Sequence, residues 1–430
     1  MLIEFRVENH RSIRDEQVFT MVAGRVGDAD DLRPRQVVGY NGSLLPVAAL
    51  YGANASGKSN VLSALTFMRQ AVVHSHRMWP PDSGVPRDPF CWGSKAREPS
   101  LFEVCVLMDD VRYQYGFVVD DERFVEEWLY AWPKGRKQTW LEREGDSFKF
   151  GEHLHGENKL VQQVTRPNAL FLATAVQHRH EQLAPLYRWF QALLTVNVIG
   201  RGRGGGPGGR STLYNWIRHY SESEEMSRQP SLFEDAQSTK DLFGSFRDLL
   251  RAADIGIVDF KLEDEAEQED GRLRFRRPQV MVQHRSSNGE AWLPLEEESQ
   301  GTVTLFQVGP VLVETLRRGG VLVVDELEAS LHPLLAIEIV KLFNDLRANP
   351  YNAQLLFTTH DTNLLGTTIG ETSLRRDEIW LTEKDDEGAT CLYPLTDYKP
   401  RKAENIERGY LQGRYGAIPY LGDLARWDEQ

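Results

Sequence analysis

Hydrophobic positions along this chain follow three patterns, and each predicts a different kind of element. LIEFRV at 2–7 alternates with period two, QVFTMVA at 17–23 is apolar and β-leaning, and the polar ENHRSIRDE between them predicts a turn, so the chain opens as a β-hairpin. LPVAALYG at 45–52, GVLVVDE at 320–326 and QLLFTTH at 354–360 are short continuous apolar runs. That is the pattern of strands buried on both faces of a parallel sheet. LFEVCVLMDD, VRYQYGFVVDD, VEEWLYAW and TWLERE, between 101 and 144, predict an antiparallel β lobe. Helical patterning follows the run at 45–52 as far as about Arg77, and recurs at 168–194, 211–225, 241–253 and 303–318. A Pro-rich connection at 79–99 separates the first helix from the lobe.

These elements predict an α/β fold. At 430 residues the chain exceeds the size of one undivided core. We expect a first part at 1–175, a helical insertion at 176–257 and a last part at 258–430. The insertion carries no sustained heptads, which excludes a long coiled coil.

The run at 45–52 leads into Gly52-Ala-Asn-Ala-Ser-Gly57-Lys58-Ser59, which matches G-x-x-x-x-G-K-[ST] with the strand before and helix after that the pattern requires. The glycines free the backbone to turn so that successive N–H groups converge on phosphate at the helix N-terminus. Gly52, Asn54, Ala55, Ser56, Gly57, Lys58, Ser59 and Asn60 are therefore the expected nucleotide-binding positions. Lys58 is expected to reach the β- and γ-phosphates, and Ser59 to place its hydroxyl on Mg2+. The implied ligand is ATP, although a P-loop reads phosphates and leaves the base open.

GVLVVDE ends in two carboxylates, as expected of a Walker B strand lying beside the P-loop strand. Asp325 is expected to hold the metal with Ser59, and Glu326 to polarise the attacking water. QLLFTTH ends in His360, placed to meet the γ-phosphate. Lys58, Glu326 and His360 form the expected catalytic set. ESQGT at 298–302 precedes a helix, and Ser299 and Gly301 suit either a phosphate-capping signature or a plain N-cap. In DELEASLHP, His332 reads either as a sensor of a partner site or as a helix cap. Gln114 is a positional guess for a glutamine loop.

Composition narrows the setting. Mean hydropathy of −0.45, the lack of any apolar run of membrane-spanning length and an N-terminus without a signal core predict a cytoplasmic protein with no membrane association. Cys91, Cys105 and Cys391 are unpaired in spacing and are expected to be buried thiols. The pairs His74/His76, His153/His155 and His178/His180 lack a completing ligand in sequence. A net charge of −13 argues against a broad nucleic-acid-binding surface, but RGRGGGPGGR at 201–210 and RLRFRRP at 272–278 leave a local one open.

The order of P-loop, signature, DE strand and histidine strand is that of ABC-type ATPases. LIEFRVENHRSI, with His10 where phenylalanine is commoner, together with ESQGT, DELEASLHP, RRDEIWLTEKD and the tail at 401–419, resembles the RecF/SMC-like branch, within it the RloA/AbiL type. The resemblance implies an ABC-type head that forms a homodimer or higher homo-oligomer with ATP at the interface. It also implies a nuclease or toxin effector from an adjacent gene and a phage-derived trigger, as in two-gene defence systems such as PARIS. A RecF-like DNA-repair ATPase and a non-hydrolysing scaffold are the alternatives. The tail itself reads either as a docked last helix or as a partner surface.

Overall fold

The computed structural model describes residues 1–27, 30–197, 235–253, 256–263, 266–269, 272–275, 279–286, 291–366, 372–401 and 404–419. Its centre is a six-stranded sheet in the order Leu193–Asn197, Val321–Asp325, Gln354–Thr358, Val47–Gly52, Ile379–Lys384 and Thr390–Pro394. The first five strands are parallel and the last is antiparallel. The carboxylate strand Val321–Asp325 does not lie beside the P-loop strand as expected, because Gln354–Thr358 is inserted between them. Apolar runs report burial but not neighbour order. The chain passes from Val321–Asp325 through the helix Pro333–Asn344 to Gln354–Thr358, a βαβ step that seats consecutive strands side by side.

Both faces of this sheet are covered, which explains its continuous apolar runs. Ala48, Leu50, Val323 and Leu356 enter one core with the β lobe and the P-loop helix Lys58–His74. Ala49, Tyr51, Val324 and Phe357 enter the other, with the helices Gln300–Arg318 and Pro333–Asn344.

A seven-stranded antiparallel sheet forms the lobe, in the order Ser147–Phe150, Gln138–Glu144, Phe124–Trp132, Val111–Val119, Ser100–Met108, Leu2–Glu8 and Gln17–Thr20. The opening hairpin is thus the lobe's edge. One buried side chain fastens the lobe to the central sheet. Gln354 accepts from Leu2 N at 2.5 Å and donates to the carbonyls of Leu2 and Leu45, both at 3.0 Å. Within the lobe, Glu127 is fully buried and accepts from Tyr115 Oη and from the N–H groups of Phe171 and Leu172, beside the Arg143 guanidinium. Its oxygens take the first N–H groups of the helix Phe171–Gln177, a role that the alternating pattern of its strand conceals.

The span 176–257 is not purely helical. Ala184–Gln191 and Asp235–Ala253 are helices, but Leu193–Asn197 is the edge strand of the central sheet, parallel to the carboxylate strand. Its apolar, β-branched residues read in sequence as the end of a helix. The expected helix at 211–225 and the basic glycine loop at 201–210 lie outside the described residues. Of the second basic run, Arg272–Phe275 pairs with Ala266–Glu269, and 276–278 lie outside. Asp235–Ala253 packs on Gln300–Arg318, where a Cβ on Gly309 would stand 2.4 Å from the Phe246 ring. No described helix is long and apolar enough to cross a membrane. Cys105 and Cys391 are half-buried, whereas Cys91 is exposed rather than buried because it sits in the Pro-rich connection.

The turn ahead of Ile379–Lys384 holds a second buried carboxylate. Glu378 accepts from Arg375 N at 2.7 Å through one oxygen, and burial pushes its pKa up to about 8. The folded chain therefore keeps a proton that an unfolded glutamate releases near pH 4.5, so it binds more protons in this window and stability falls as pH rises through it. Glu378→Gln is expected to flatten that decline when urea midpoints at pH about 5 and about 8 are compared; an unchanged slope would clear Glu378 of responsibility. For the lobe joint, Gln354→Leu strands three buried backbone groups and is expected to cost about 3 kcal/mol in equilibrium unfolding. A loss within error of zero would show that the joint does not need the amide.

Candidate functional site

The P-loop takes its shape from pressure by its neighbours. Val47–Gly52 is buried throughout, and the helix starts at Lys58 after Gly57, which adopts φ +106°. A Cβ on Gly57 would stand 2.0 Å from Thr390 Oγ1, and one on Gly52 would stand 2.4 Å from Thr382 Oγ1. No side chain fits at either position. Ser56 Oγ hydrogen-bonds Thr382 Oγ1 at 2.6 Å, and Thr390 Oγ1 donates to Ser56 O at 2.9 Å. Asn60 Nδ2 donates to Ser12 Oγ at 2.6 Å, and Ser12 in turn meets Thr390 Oγ1 at 2.7 Å. Ser56 and Asn60, expected to face nucleotide, thus engage their side chains in bracing the loop. Asn54 and Ala55 form its exposed tip. Lys58 Nζ folds back to donate to Gly52 O at 2.9 Å and Ala53 O at 3.1 Å. Burial lowers its pKa, against the opposing charges of Glu326, Asp325 and Glu328.

Three strand ends meet next to the loop. Ser59 Oγ donates to Asp325 Oδ1 at 2.9 Å, and Thr358 Oγ1 donates to the same oxygen at 2.7 Å. Thr358 Oγ1 also accepts from Glu326 N at 2.7 Å. The hydroxyl of Ser59 and the carboxylate of Asp325 are hard oxygen donors already in contact, a pair whose chemistry fits Mg2+. Glu326 turns off the strand at φ +56°, so its side chain departs from the direction of Asp325. Its pKa is raised by burial first, then by the negative charges of Asp325 and Glu328. His360 N donates to Glu328 Oε1 at 2.5 Å, and burial followed by Lys58 lowers the imidazole pKa, favouring the neutral ring.

Lys58, Ser59, Asp325, Glu326 and His360 are therefore gathered as the sequence predicts. Thr358 and Glu328 were missed as site residues. A hydroxyl closing an apolar run was the available signal for Thr358; for Glu328, its place two residues beyond Glu326 meant nothing until the fold brought His360 to it.

Ser299 and Gly301 are not brought to this cluster. Ser299 caps its helix, its Oγ accepting from Thr302 N at 3.1 Å, and a Cβ on Gly301 would stand 3.0 Å from Ser330 O. No hydrogen bond among the described residues joins either to the P-loop. Just ahead, Glu298 holds His284 Nε2 at 2.5 Å, tying the helix start to the strand Gln279–His284. His332 Nδ1 accepts from Leu334 N at 3.2 Å, so it caps the helix that Pro333 opens. Gln114 lies within the lobe, its amide donating to Glu103. His10 is buried against Phe67 and Phe102, with its pKa lowered to about 4, and so stands in for an aromatic residue. The paired histidines diverge: His76 contacts Thr174 and His178, while His180 binds Asn158.

The described part of the tail docks. Asn405 caps the helix Ile406–Leu411, and the Tyr410 ring meets Tyr51 of the P-loop strand edge-on at 5.6 Å. Tyr415 Oη donates to Glu404 at 2.5 Å.

No curated protein matches the chain. The SMC head domain from Thermotoga maritima aligns at 11% identity and a TM-score of 0.40, covering 91% of this chain and 98% of that one. A SmcHead solved bound to the C-winged helix domain of ScpA aligns at 11% identity and a TM-score of 0.44, covering 91% of this chain and 96% of that one. Residues 47–366 match the family described as "AAA domain, putative AbiEii toxin, Type IV TA system". That span contains the P-loop, the paired carboxylates and His360, and the chain belongs to this family of P-loop ATPases.

Proposed function

We propose that this chain binds ATP with Mg2+ and hydrolyses it at sites shared between two copies, and that nucleotide state controls a partner effector in anti-phage defence. The observation that carries the catalytic reading is the convergence on Asp325 Oδ1 of the Ser59 and Thr358 hydroxyls, with Glu326 beside them. When bound, Mg2+ would supply positive charge against the phosphates at this site. Ser59 and Asp325 would hold that ion. The P-loop N–H groups and the helix N-terminus hold the phosphates, and Lys58 exchanges its loop carbonyls for phosphate oxygens. Glu326, with its raised pKa, takes the proton of the attacking water, and neutral His360 donates to the γ-phosphate or orients that water.

The dimer reading rests on what a single chain leaves apart. Ser299 and Gly301 open a long helix away from their own P-loop, and a head-to-tail second copy would deliver that N-terminus to the γ-phosphate. Each ATP then spans two subunits, and hydrolysis changes subunit geometry, which supplies a two-state switch. In the three-part organisation at 1–175, 176–257 and 258–430, the middle part would be an insertion apart from Leu193–Asn197, which belongs to the central sheet. The defence role, in the cytoplasm and with a nuclease or toxin as effector, is supported by the RloA/AbiL resemblance of both chain ends and by the toxin–antitoxin wording of the family's description.

Glu326→Gln is expected to keep ATP binding, lower turnover at least about 100-fold and accumulate an ATP-bound dimer. Lys58→Ala is expected to lose binding. Phosphate release, a fluorescent ATP analogue and native mass spectrometry with the adjacent gene product read these outcomes. Full turnover in either variant would remove the assignment, and a dimer that takes up DNA but never the neighbouring protein would remove the effector role.

A further inference from the structure

We propose that Glu328 is a positioning residue for hydrolysis: its carboxylate clamps the backbone of His360 onto the loop that carries Glu326. The inference deepens the ATPase reading above and rests on it. Glu328 Oε1 accepts from His360 N at 2.5 Å, joining the ends of two strands that run side by side. Its own loop is fastened at both sides of the residue. Ala329 N donates to Glu326 O and Leu331 N to Glu328 O, each at 2.9 Å, and Leu327 N donates to Thr358 O at 3.1 Å. His360 and Glu326 are consequently held to one rigid turn. On either side of His360, Thr359 N donates to Leu50 O at 3.1 Å and Asp361 O accepts from Tyr51 Oη at 2.9 Å, so Glu328 supplies the tie at His360 itself.

The second carboxylate oxygen separates this role from that of a simple brace. Glu328 Oε2 is shielded from solvent and has no hydrogen-bond partner among the described residues. An apolar side chain would carry no such buried oxygen, so the carboxylate stands here at a local cost in desolvation. Its charge faces Tyr51 from the P-loop strand, Lys58 from the helix, Glu326 and Asp325 from its own loop, and His360. Asp361, which follows His360, presents a second carboxylate to the same tyrosine. Negative charge at Glu328 opposes the loss of the His360 proton, which burial and Lys58 favour. One side chain thereby holds the histidine's backbone in place and lends its ring negative charge.

Two variants of the full chain divide these effects. Glu328→Gln keeps a carbonyl oxygen for His360 N and removes the charge; Glu328→Ala removes both. Glu328→Ala is expected to lower kcat about 30-fold with KM for ATP within about threefold. Glu328→Gln is expected to recover most of that loss, because its carbonyl can still accept from His360 N. In the nucleotide-free protein, the His360 ring followed by NMR should titrate at lower pH in both variants. Unaltered kcat in Glu328→Ala overturns the proposal, as does a loss of kcat, affinity and melting temperature together in both variants, which marks a mere brace. Should the wild-type chain turn over no ATP while binding it, the ATPase reading fails separately, and the His360 titration still decides: the same midpoint in all three proteins overturns the role given to Glu328.

Discussion

A parallel sheet covered on both faces has nowhere to put polar chemistry except at the ends of its strands. In this chain the constraint is strict. Every residue of Val47–Gly52 and Gln354–Thr358 is buried, and the two faces feed separate cores. Functional groups therefore collect where the strands stop, and the stopping points have to coincide. Thr358 makes them coincide. Its buried hydroxyl donates to Asp325 and accepts from Glu326 N, so the histidine strand and the carboxylate strand cannot slip relative to each other without stranding a buried donor, at about 1–3 kcal/mol. The intervening position of Gln354–Thr358, contrary to simple adjacency of the Walker strands, is what gives this hydroxyl access to both carboxylate residues.

The same constraint explains why distant parts of the chain meet at the P-loop. A glycine loop has little rigidity of its own, since its residues forgo side-chain packing in exchange for close approach. Rigidity is imported from Thr382 and Thr390 on the neighbouring hairpin and from Ser12 in the opening turn. The first hairpin and the residues near 390 thus share one small hydrogen-bonded cluster around Ser56. This gives the N-terminal turn a structural reason to accompany the P-loop, independent of any contact with nucleotide.

How far the sequence could be read follows from whether a feature is local. The P-loop, the DE pair, His360 and the lobe strands are local patterns, and they were legible. Strand order was not, because burial pattern carries no information about neighbours. Leu193–Asn197 was read as helix because a short apolar run fits either element when its partner is unknown. Glu127 and Glu378 looked like ordinary charged positions, yet each is a fully buried carboxylate whose partners come from residues distant in the lobe or from a local turn. Glu328 and Thr358 fell between: their positions were visible, and their roles depended on a contact across two strands.

The loop after the carboxylate strand shows how such contacts combine. Glu326 leaves the strand in a left-handed conformation, Glu328 takes the His360 backbone, Ser330 turns left-handed again with its carbonyl against Gly301, and His332 caps the next helix. Each alternate residue faces a different element, and two of them, Glu326 and Ser330, adopt positive φ. Gly301 leaves no spare distance at Ser330, because even a methyl group would touch the carbonyl. The start of the helix Gln300–Arg318 therefore lies close to Ser330, in the same hydrogen-bonded turn as Glu326 and Glu328.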